Sequence, residues 1–267
     1  MDQSITASSK PTEGWNLSGS TLKWIAIVAM LIDHMAYTFV PQDTPLFTFL
    51  DFIGKITGPI MFYFLVEGFY YTHNFWRYLG RMGIFAVISY VPFIYCFQGQ
   101  LPNAENWKSF NILVTLFLCL LILKVRHTQW DSVIKWTIIL VLIFFCSYCD
   151  WFYLAPIIVL IFDTYRGNFR NQAVAYCLMI LAYLGSGMLT FQLILQQNVL
   201  IENPYMAYYN LSYYIAMSGM FVPIFLLKYY NGQKGKGGKI TKWFFYIFYP
   251  AHLMILGIIH YGFPVFS

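Results

Sequence analysis

The chain is poor in charge. Only 10% of its 267 residues are Asp, Glu, Lys or Arg, whereas soluble domains carry about 25%. One buried core cannot account for this deficit, because a chain of this length still needs a large wetted surface. The 59% content of hydrophobic residues also excludes a disordered chain and a nucleic-acid scaffold. The sequence therefore predicts an all-α, polytopic integral membrane helical bundle, with the lipid bilayer as its solvent.

Cysteine is also scarce. The chain has only five cysteines, and most of them lie in apolar stretches. An odd, small number in such positions excludes a disulfide-stapled secreted module. Cys146 and Cys149 have the spacing of a redox or zinc pair, but no second pair or adjacent histidine completes a site, so we expect no metal. No internal repeat of the transporter type is visible. The polar first 20 residues lack the apolar region of a cleavable signal peptide.

Apolar stretches that are long enough, or nearly long enough, to cross a bilayer recur along the chain. They are 22–40, 46–72, 78–97, 111–123, 133–149, 151–162, 171–184, 208–227 and 243–261. We expect about nine to ten transmembrane helices in one domain, 22–267, after a short polar cytoplasmic N-terminus, 1–21. The apolar part of 186–205 spans only about 14 residues, which favours an interfacial or re-entrant segment over a tenth span.

The basic residues test this count. Fourteen of the sixteen Lys and Arg fall on alternate connections: Lys10, Lys23, Arg77, Arg81, Lys124, Arg126, Lys135, Arg166, Arg170, Lys228, Lys234, Lys236, Lys239 and Lys242. The positive-inside rule then predicts a cytoplasmic N-terminus and an external C-terminus in the cell's inner membrane. The net charge of +5 thus serves topology and indicates no nucleic-acid partner. The glycine-lysine run 232–239 lacks Walker spacing and is expected to be a flexible cytoplasmic loop.

Two histidines lie deep within apolar stretches. Asp33 and His34 follow an uninterrupted apolar run, and His34 lies about 18 Å along the first helix from Leu22. His252 lies about 14 Å along the last helix from Trp243. Either histidine alone is equally compatible with a packing role, in which it bonds a neighbouring carbonyl. Since ionisable groups in a bilayer cost about 2.5–3.5 kcal/mol each, two of them beside a carboxylate favour a functional site.

The last helix adds a polar face around His252. Tyr246, Tyr249 and His252 recur at three-residue spacing, so they share one side of the helix. Pro250 removes one backbone donor and frees the carbonyl one turn earlier, which favours a kink around a cavity.

The second apolar stretch carries Lys55, with Gly58 and Pro59 shortly after it. A Gly-Pro pair within a span predicts a break at which irregular backbone lines a cavity. Asp33 and its neighbour His34 point about 100° apart on a helix. We therefore expect Asp33 to meet a cation on another helix, and Lys55 is one candidate.

Further polar residues lie near the predicted membrane boundaries. Glu67 is expected at the cytoplasmic boundary within reach of Arg77 or Arg81, where an ion pair and a ligand role are equally compatible. Three residues lie at or near outer helix ends and are weak signals alone: Asn111, Thr115 and Asp150. Three others are expected to be interfacial residues at the membrane edges: His73, His127 and His260.

The segment Leu22–His34 resembles the opening signature of the TraX family, named for the conjugal-pilin acetylation protein. The resemblance continues in order along nearly the whole chain, although 166–242 contributes little. It includes Gly54-Lys55, Pro59, Phe64-Leu-Val-Glu-Gly-Phe69, His73-Asn74, Arg77-Tyr-Leu-Gly-Arg81, Phe110-Asn-Ile112, Thr115-Leu116, Cys149-Asp150 and Phe245-Tyr-Ile-Phe-Tyr-Pro-Ala-His-Leu253. The chain departs from the family at Lys55, where an arginine is expected, and lysine cannot bind an anion bidentately.

The resemblance implies a bacterial transmembrane acyltransferase that moves an acetyl group from cytoplasmic acetyl-CoA to a hydroxyl or amine of a glycan, lipid or peptide. Neutral histidine is the side chain best suited to remove a proton from the acceptor near pH 7. We predict catalytic roles for His34 as base, His252 as second base or oxyanion donor, and Asp33 as electrostatic support. The predicted acetyl-CoA contacts are Lys55, Arg77, Arg81 and Tyr249, and the predicted substrate contacts are Glu67, Asn111 and Asp150.

Two other functions are compatible with these residues. A proton-coupled transporter or carrier would use the buried Asp, His, Lys and Glu side chains as a relay, although no repeat supports it. An assembly scaffold would leave the buried histidines unexplained. The sequence does not identify the acceptor, distinguish direct transfer from an acetyl-histidine intermediate, or indicate an oligomer.

Overall fold

The computed structural model describes residues 16–196, 204–236 and 239–264. Within these ranges the chain forms α-helices, one short 3₁₀ helix (Ser218–Phe221) and no strand. The helices are α1 (Gly19–Phe39), α2 (Pro45–Gly54), α3 (Thr57–Tyr71), α4 (Phe75–Ile88), α5 (Tyr90–Gln98), α6 (Ile112–Arg126), α7 (Ser132–Cys146), α8 (Leu154–Thr164), α9 (Phe169–Gln196), α10 (Pro204–Met217), α11 (Val222–Lys228) and α12 (Lys239–Tyr261). Lys10 and residues 197–203 lie outside the described residues.

The predicted all-α membrane fold is confirmed. Six segments of the described chain are long and apolar enough to cross a bilayer: Gly19–Phe39, Pro45–Tyr71, Phe75–Gln98, Phe169–Leu189, Leu211–Lys228 and Trp243–Tyr261. Three other predicted stretches form the shorter helices α6, α7 and α8, with 15, 15 and 11 residues. The chain is therefore a multi-pass membrane protein.

Prolines explain three interruptions in the long segments. Proline lacks an N–H and its ring clashes with the carbonyl four residues earlier. That residue is Lys55 for Pro59, and the chain breaks at Lys55 between α2 and α3, three residues before the predicted Gly-Pro position. Similar breaks precede Pro92, between α4 and α5, and Pro223, between α10 and α11. Helix α12, in contrast, continues through Pro250 without interruption.

Five predicted basic connections meet at one end of the bundle, which we call the basic end. The chain before α1 pairs with the chain after α11, where the N–H of Leu17 donates to the carbonyl of Tyr229 at 2.9 Å. The ends of α6 and α8 meet there through Arg126 and Asp163, whose Nε and Oδ2 atoms are 3.1 Å apart. At the opposite end, the hydroxyl of Tyr95 in α5 donates to the carbonyl of Gly262 after α12. The alternation seen in the sequence is therefore a feature of the fold.

Helix α9 differs from the prediction. The stretch 171–184 was expected to be a short span that ends before an interfacial or re-entrant segment. Instead, α9 runs without interruption from Phe169 to Gln196, over 28 residues. Its continuation contains no proline before residue 196, and Gly185 and Gly187, which the sequence offered as a stop signal, are accommodated within the helix.

The buried core lies between α1, α3, α6 and α8. Its fully buried side chains include Leu22, Ile60, Phe62, Leu120, Ile158 and Phe162. Helix α7 lies outside this core, because most of its large apolar residues, such as Val133 and Phe144, are exposed. In a membrane protein such a face contacts lipid, and the polar groups described next lie on the inner side of the bundle.

Candidate active site

His34 in α1 and His252 in α12 touch each other. Nδ1 of His34 lies 2.7 Å from Nε2 of His252. The ring planes differ by only 2° and the ring centroids are 5.0 Å apart, so the two imidazoles meet edge to edge. Both residues are buried, with exposed fractions of 7% and 5%. The structure thus brings together the two histidines that the sequence singled out.

Neighbouring groups fix the orientation of both rings. Nδ1 of His252 lies 2.8 Å from the carbonyl oxygen of Phe248, one turn earlier in α12. The Phe248 ring also stacks on the His252 imidazole at a centroid distance of 4.6 Å. On the other side, Phe97 packs edge-on against His34 at 5.3 Å. Every ring contact therefore restricts rotation of the pair, as acid–base chemistry at a fixed position requires.

A carboxylate–lysine cluster lies beside His34. Its members are Asp33 in α1, Asp51 in α2, Lys55 in the α2–α3 break and Asp150 between α7 and α8. Lys55 Nζ lies 2.5 Å from Asp51 Oδ1, and Asp33, His34 and Asp150 lie within electrostatic range of Lys55. Lys55 is the cation predicted for Asp33, and its charge acts on the Asp33 carboxyl group, but the direct ion pair of Lys55 is with Asp51. With three carboxyl groups and one ammonium, the cluster has an excess of acidic groups.

Asp33 makes a tight contact within this cluster. Its carboxylate lies directly against Gly54, in the space that a side chain at residue 54 would fill. Its Oδ1 atom is buried against Gly54, and the Asp51 side chain lies within hydrogen-bonding range of the Asp33 carboxyl group. Two carboxyl groups this close share a proton more readily than they hold two negative charges.

Asp150 is held by a strained loop. Trp151 and Phe152 have φ angles of 66° and 42°, a left-handed conformation that residues other than glycine rarely adopt. The Trp151 ring packs directly onto Gly58, where a Cβ atom would collide with it. The hydroxyl of Thr115 donates a 2.7 Å hydrogen bond to the carbonyl of Asp150. Such strain persists where surrounding contacts enforce it and is common at functional sites.

A cleft of about 640 Å³ opens at the basic end. We call it the basic cleft; its polar lining includes Ser20, Lys23, His73, Arg81, Lys234 and Tyr246. Arg81 Nε is buried and has no hydrogen-bond partner within the described chain. An arginine donor in this state is suited to an anionic group, because Arg presents several N–H groups to phosphate or carboxylate oxygens.

The loop 231–236 forms part of the cleft wall. The first N–H groups of a helix lack partners within the helix, and here the loop supplies them. The N–H groups of Gly19 and Ser20 donate to the carbonyls of Gln233 and Lys234, at 2.8 and 3.0 Å. The loop was expected to be a flexible tether, but these bonds dock it on α1 and bring the Lys234 side chain into the cleft.

Tyr249 packs against the histidine pair, one turn beyond Tyr246 of the basic cleft. Its ring is 6.2 Å from that of His34 and 5.7 Å from that of His252. The hydroxyl points towards the backbone of Ile112, next to Leu113 in the cleft lining, and completes no hydrogen bond among the described residues. Tyr249 is not part of the cleft lining, but along α12 it lies between Tyr246 of the cleft and His252 of the pair.

The sequence suggested that Glu67 lies within reach of Arg77 or Arg81, but neither arginine is its ion-pair partner among the described residues. Its carboxylate binds Arg166, with 2.8 Å between Oε1 and Nε. The guanidinium of Arg166 also lies over the Tyr70 ring, 4.0 Å from its centroid. Burial alone would lower the pKa of Arg166, but the hydrogen bond and charge of Glu67 outweigh it and raise that pKa. Glu67 thus links α3 to the α8–α9 connection.

Two more predicted contacts lie apart from the site. Arg77 is exposed and does not line the basic cleft; it lies in the first turn of α4, one turn before Arg81. Asn111 is fully buried and caps α6, since its Oδ1 accepts the N–H of Leu113 and its Nδ2 donates to the carbonyl of Ala86, both at 3.0 Å. Its amide is therefore already in use by the protein.

The sequence missed three residues of the site. Asp51 lies four residues before Lys55, and this spacing on a helix is a signal for an ion pair. Lys23 and Lys234 were attributed to topology alone, and no local pattern distinguishes them from the other basic residues of the same connections. Among the described residues, no group of three or more His, Cys, Asp or Glu side chains is arranged to hold a metal ion.

The chain matches a known protein family over a range that includes both His34 and His252. Residues 18–260 match the family described as TraX protein. The chain is also similar to the probable fimbrial assembly protein FimC, serogroup H1, of Dichelobacter nodosus, with 32% identity over 247 residues. This match covers 90% of the chain and 95% of that protein. No solved structure matches the chain.

Proposed function

Because the chain belongs to the TraX family, we propose that it is an acetyltransferase of the bacterial inner membrane. It takes the acetyl group of cytoplasmic acetyl-CoA and transfers it to a hydroxyl or amine of a glycan, lipid or peptide at the membrane or its outer face. The observation that carries this proposal is the 2.7 Å contact between two buried histidines. The name of the fimbrial relative favours a peptide acceptor that is assembled outside the cell.

The basic cleft fits the donor. Lys23, Arg81 and Lys234 supply positive charge for the phosphates of acetyl-CoA, and Arg81 Nε is a buried donor that no described residue satisfies. Ile27 in the cleft wall lies seven residues before His34, or about 10 Å along α1. The thioester at the end of a long flexible arm would have to pass Tyr249 to reach the pair. This arrangement requires the basic end to face the cytoplasm, as the positive-inside rule predicts.

Direct transfer is the simplest reaction for this geometry. The acceptor oxygen or nitrogen attacks the thioester carbonyl carbon, a C–O or C–N bond forms, and the C–S bond breaks. The histidine pair takes the proton of the acceptor and returns it to the departing sulfur, so that CoA leaves as the thiol. Lys55 and the carboxyl groups around it provide a charged environment next to His34, in which Asp33 acts as electrostatic support.

The test is transfer of radiolabelled acetyl from acetyl-CoA by the purified protein in nanodiscs, with a membrane extract as the source of acceptor. We expect wild type and His260→Ala to transfer label, and His34→Ala to lose transfer by about 10²–10⁴-fold. His260 is a matched control, because it lies on the same helix as His252 but is exposed. Equal activity of His34→Ala and His260→Ala would contradict the proposal.

The carboxylate–lysine cluster is also compatible with a second function, that of a proton-coupled carrier. Buried carboxyl groups around one lysine are typical of proton pathways in membranes. A pH-sensitive dye inside proteoliposomes distinguishes the two functions. Proton movement that requires Asp33, without any turnover of acetyl-CoA, would favour the carrier.

A further inference from the structure

The hydrogen bonds around His252 define a direction for the proton within the histidine pair. A neutral imidazole has one nitrogen that donates and one that accepts, and the partner of one nitrogen fixes the role of the other. The backbone carbonyl of Phe248 can only accept, and it lies 2.8 Å from Nδ1 of His252. Nδ1 of His252 must therefore carry the proton, which leaves Nε2 of His252 as an acceptor.

The same reasoning also determines which nitrogen of His34 carries the proton. An acceptor at Nε2 of His252 requires a donor at the atom that it meets, 2.7 Å away, which is Nδ1 of His34. The nearly parallel, edge-to-edge rings suit this bond, because the lone pair of Nε2 lies in the plane of its ring. Nδ1 of neutral His34 then carries its only proton, and Nε2 of His34 is unprotonated.

We infer that Nε2 of His34 is the basic atom of the pair, and that His252 is a positioning residue that holds His34 in the tautomer with Nε2 free. This inference rests on the proposed function. It removes the two other roles expected for His252, since its Nε2 atom is bonded to His34 and its Nδ1 atom to Phe248. When Nε2 of His34 takes the acceptor's proton, the resulting imidazolium keeps its Nδ1–H bond to His252, and the hydrogen bond from His252 to the Phe248 carbonyl orients His252 so that it stabilises the positive charge on His34.

Helix α12 supplies the fixed end of this chain of bonds. The Phe248 carbonyl belongs to a helical backbone that cannot rotate, and the Phe248 ring stacks on His252 at 4.6 Å. A backbone carbonyl also cannot become a donor when conditions change. The direction of the two hydrogen bonds is therefore set by main chain and packing, and it needs no charged residue on α12.

The first experiment compares glutamine at the two positions. A glutamine at 252 offers a carbonyl oxygen near the place of Nε2, so it can still accept from His34, but it cannot act as a base. We expect His252→Gln to keep kcat within about 10-fold of wild type, His252→Leu to lose about 10²-fold, and His34→Gln to lose about 10³-fold. The KM for acetyl-CoA should change little in all three, and His260→Gln should match wild type.

These outcomes separate the inference from the function on which it rests. If wild type transfers acetyl but His252→Gln is as inactive as His34→Gln, the assignment of roles is overturned while the enzyme remains. If His252→Gln is the less active of the two, the roles are reversed. If wild type transfers no acetyl with any extract, both proposals fail.

The second experiment reads the tautomers directly and needs no acceptor. Protein labelled with ¹⁵N-histidine in lipid bilayers should show His34 and His252 as neutral Nδ1–H tautomers in solid-state NMR, assigned by their absence in His34→Gln and His252→Gln. An Nε2–H tautomer at either position contradicts the inference. This measurement also detects a variant whose activity is lost only because it misfolds, since its other histidine signals would move.

Discussion

Asp33 packs so closely against Gly54 that its carboxylate occupies the place where a side chain of residue 54 would begin. Gly54 is the last residue of α2, and the contact brings Asp33 beside Lys55. Only glycine permits this approach. The position of a charged group next to His34 therefore depends on the absence of one methyl group on another helix.

Gly54→Ala should destabilise the protein and impair transfer together. The added methyl group must displace the Asp33 carboxylate or separate α1 from α2, and overpacking of this kind costs about 1–3 kcal/mol. Thermal unfolding and acetyl transfer should both be measured. Gly80→Ala is the control, because a Cβ atom at residue 80 meets nothing within 4 Å and helical Gly→Ala stabilises by about 0.5–1 kcal/mol. Equal melting temperatures for the two variants would contradict the described contact.

Arg81→Gln should weaken the binding of acetyl-CoA. Hydrogen bonds to charged groups contribute about 1.5–3 kcal/mol, so the KM for acetyl-CoA should rise by about 10–100-fold with little change in kcat. Arg77→Gln is matched in chemistry and helix, but Arg77 is exposed and outside the basic cleft. Its KM should stay near that of wild type. An equal KM for acetyl-CoA in Arg81→Gln and Arg77→Gln would show that the donor binds outside the basic cleft.

Glu67→Gln should reduce stability rather than substrate binding. It removes one partner of the 2.8 Å ion pair with Arg166 and leaves a guanidinium over Tyr70 without its anion, which costs about 1–3 kcal/mol. Thermal unfolding is the measurement. Glu105→Gln is the control, because Glu105 is an exposed loop residue. Adding Arg166→Gln to Glu67→Gln should cost less than the sum of the single changes. A raised acceptor KM at unchanged stability would instead support the substrate role that the sequence suggested.

Asn111→Ala should destabilise more than Asn74→Ala. Both asparagines cap a helix, and loss of a cap costs about 1 kcal/mol. Asn111 is buried and also donates to the carbonyl of Ala86 at 3.0 Å, so its loss leaves a buried carbonyl unpaired, at about 1–3 kcal/mol more. The two melting temperatures give the comparison. An unchanged melting temperature with a changed acceptor KM would return Asn111 to the list of substrate contacts.

The sequence located the histidine pair because ionisable side chains are rare in apolar spans and each one demands a reason. It could not reveal that Nδ1 of one ring meets Nε2 of the other, since 218 residues separate His34 from His252. The contact depends on how α1 packs against α12. The same limit applies to Glu67, whose partner Arg166 lies on a distant connection, and the sequence offered only the nearer arginines.

The basic residues show a different limit. The positive-inside rule accounted for the positions of fourteen of them, so two that also line the basic cleft were not recognised as possible ligand contacts. Lys23 lines the basic cleft from α1, and Lys234 reaches it because loop 231–236 docks on the first turn of α1. A charge that satisfies topology can also bind a ligand, and only the packed structure distinguishes the two. Asp51, in contrast, could have been found from its spacing to Lys55.

Tyr249 lies along α12 between Tyr246, which lines the basic cleft, and His252, and its ring packs near both histidine rings. Under the proposed function, a donor held in the cleft has to pass this ring before its acyl group reaches the pair. The size of one aromatic side chain then limits the route between donor and base, and a smaller residue at 249 would widen it.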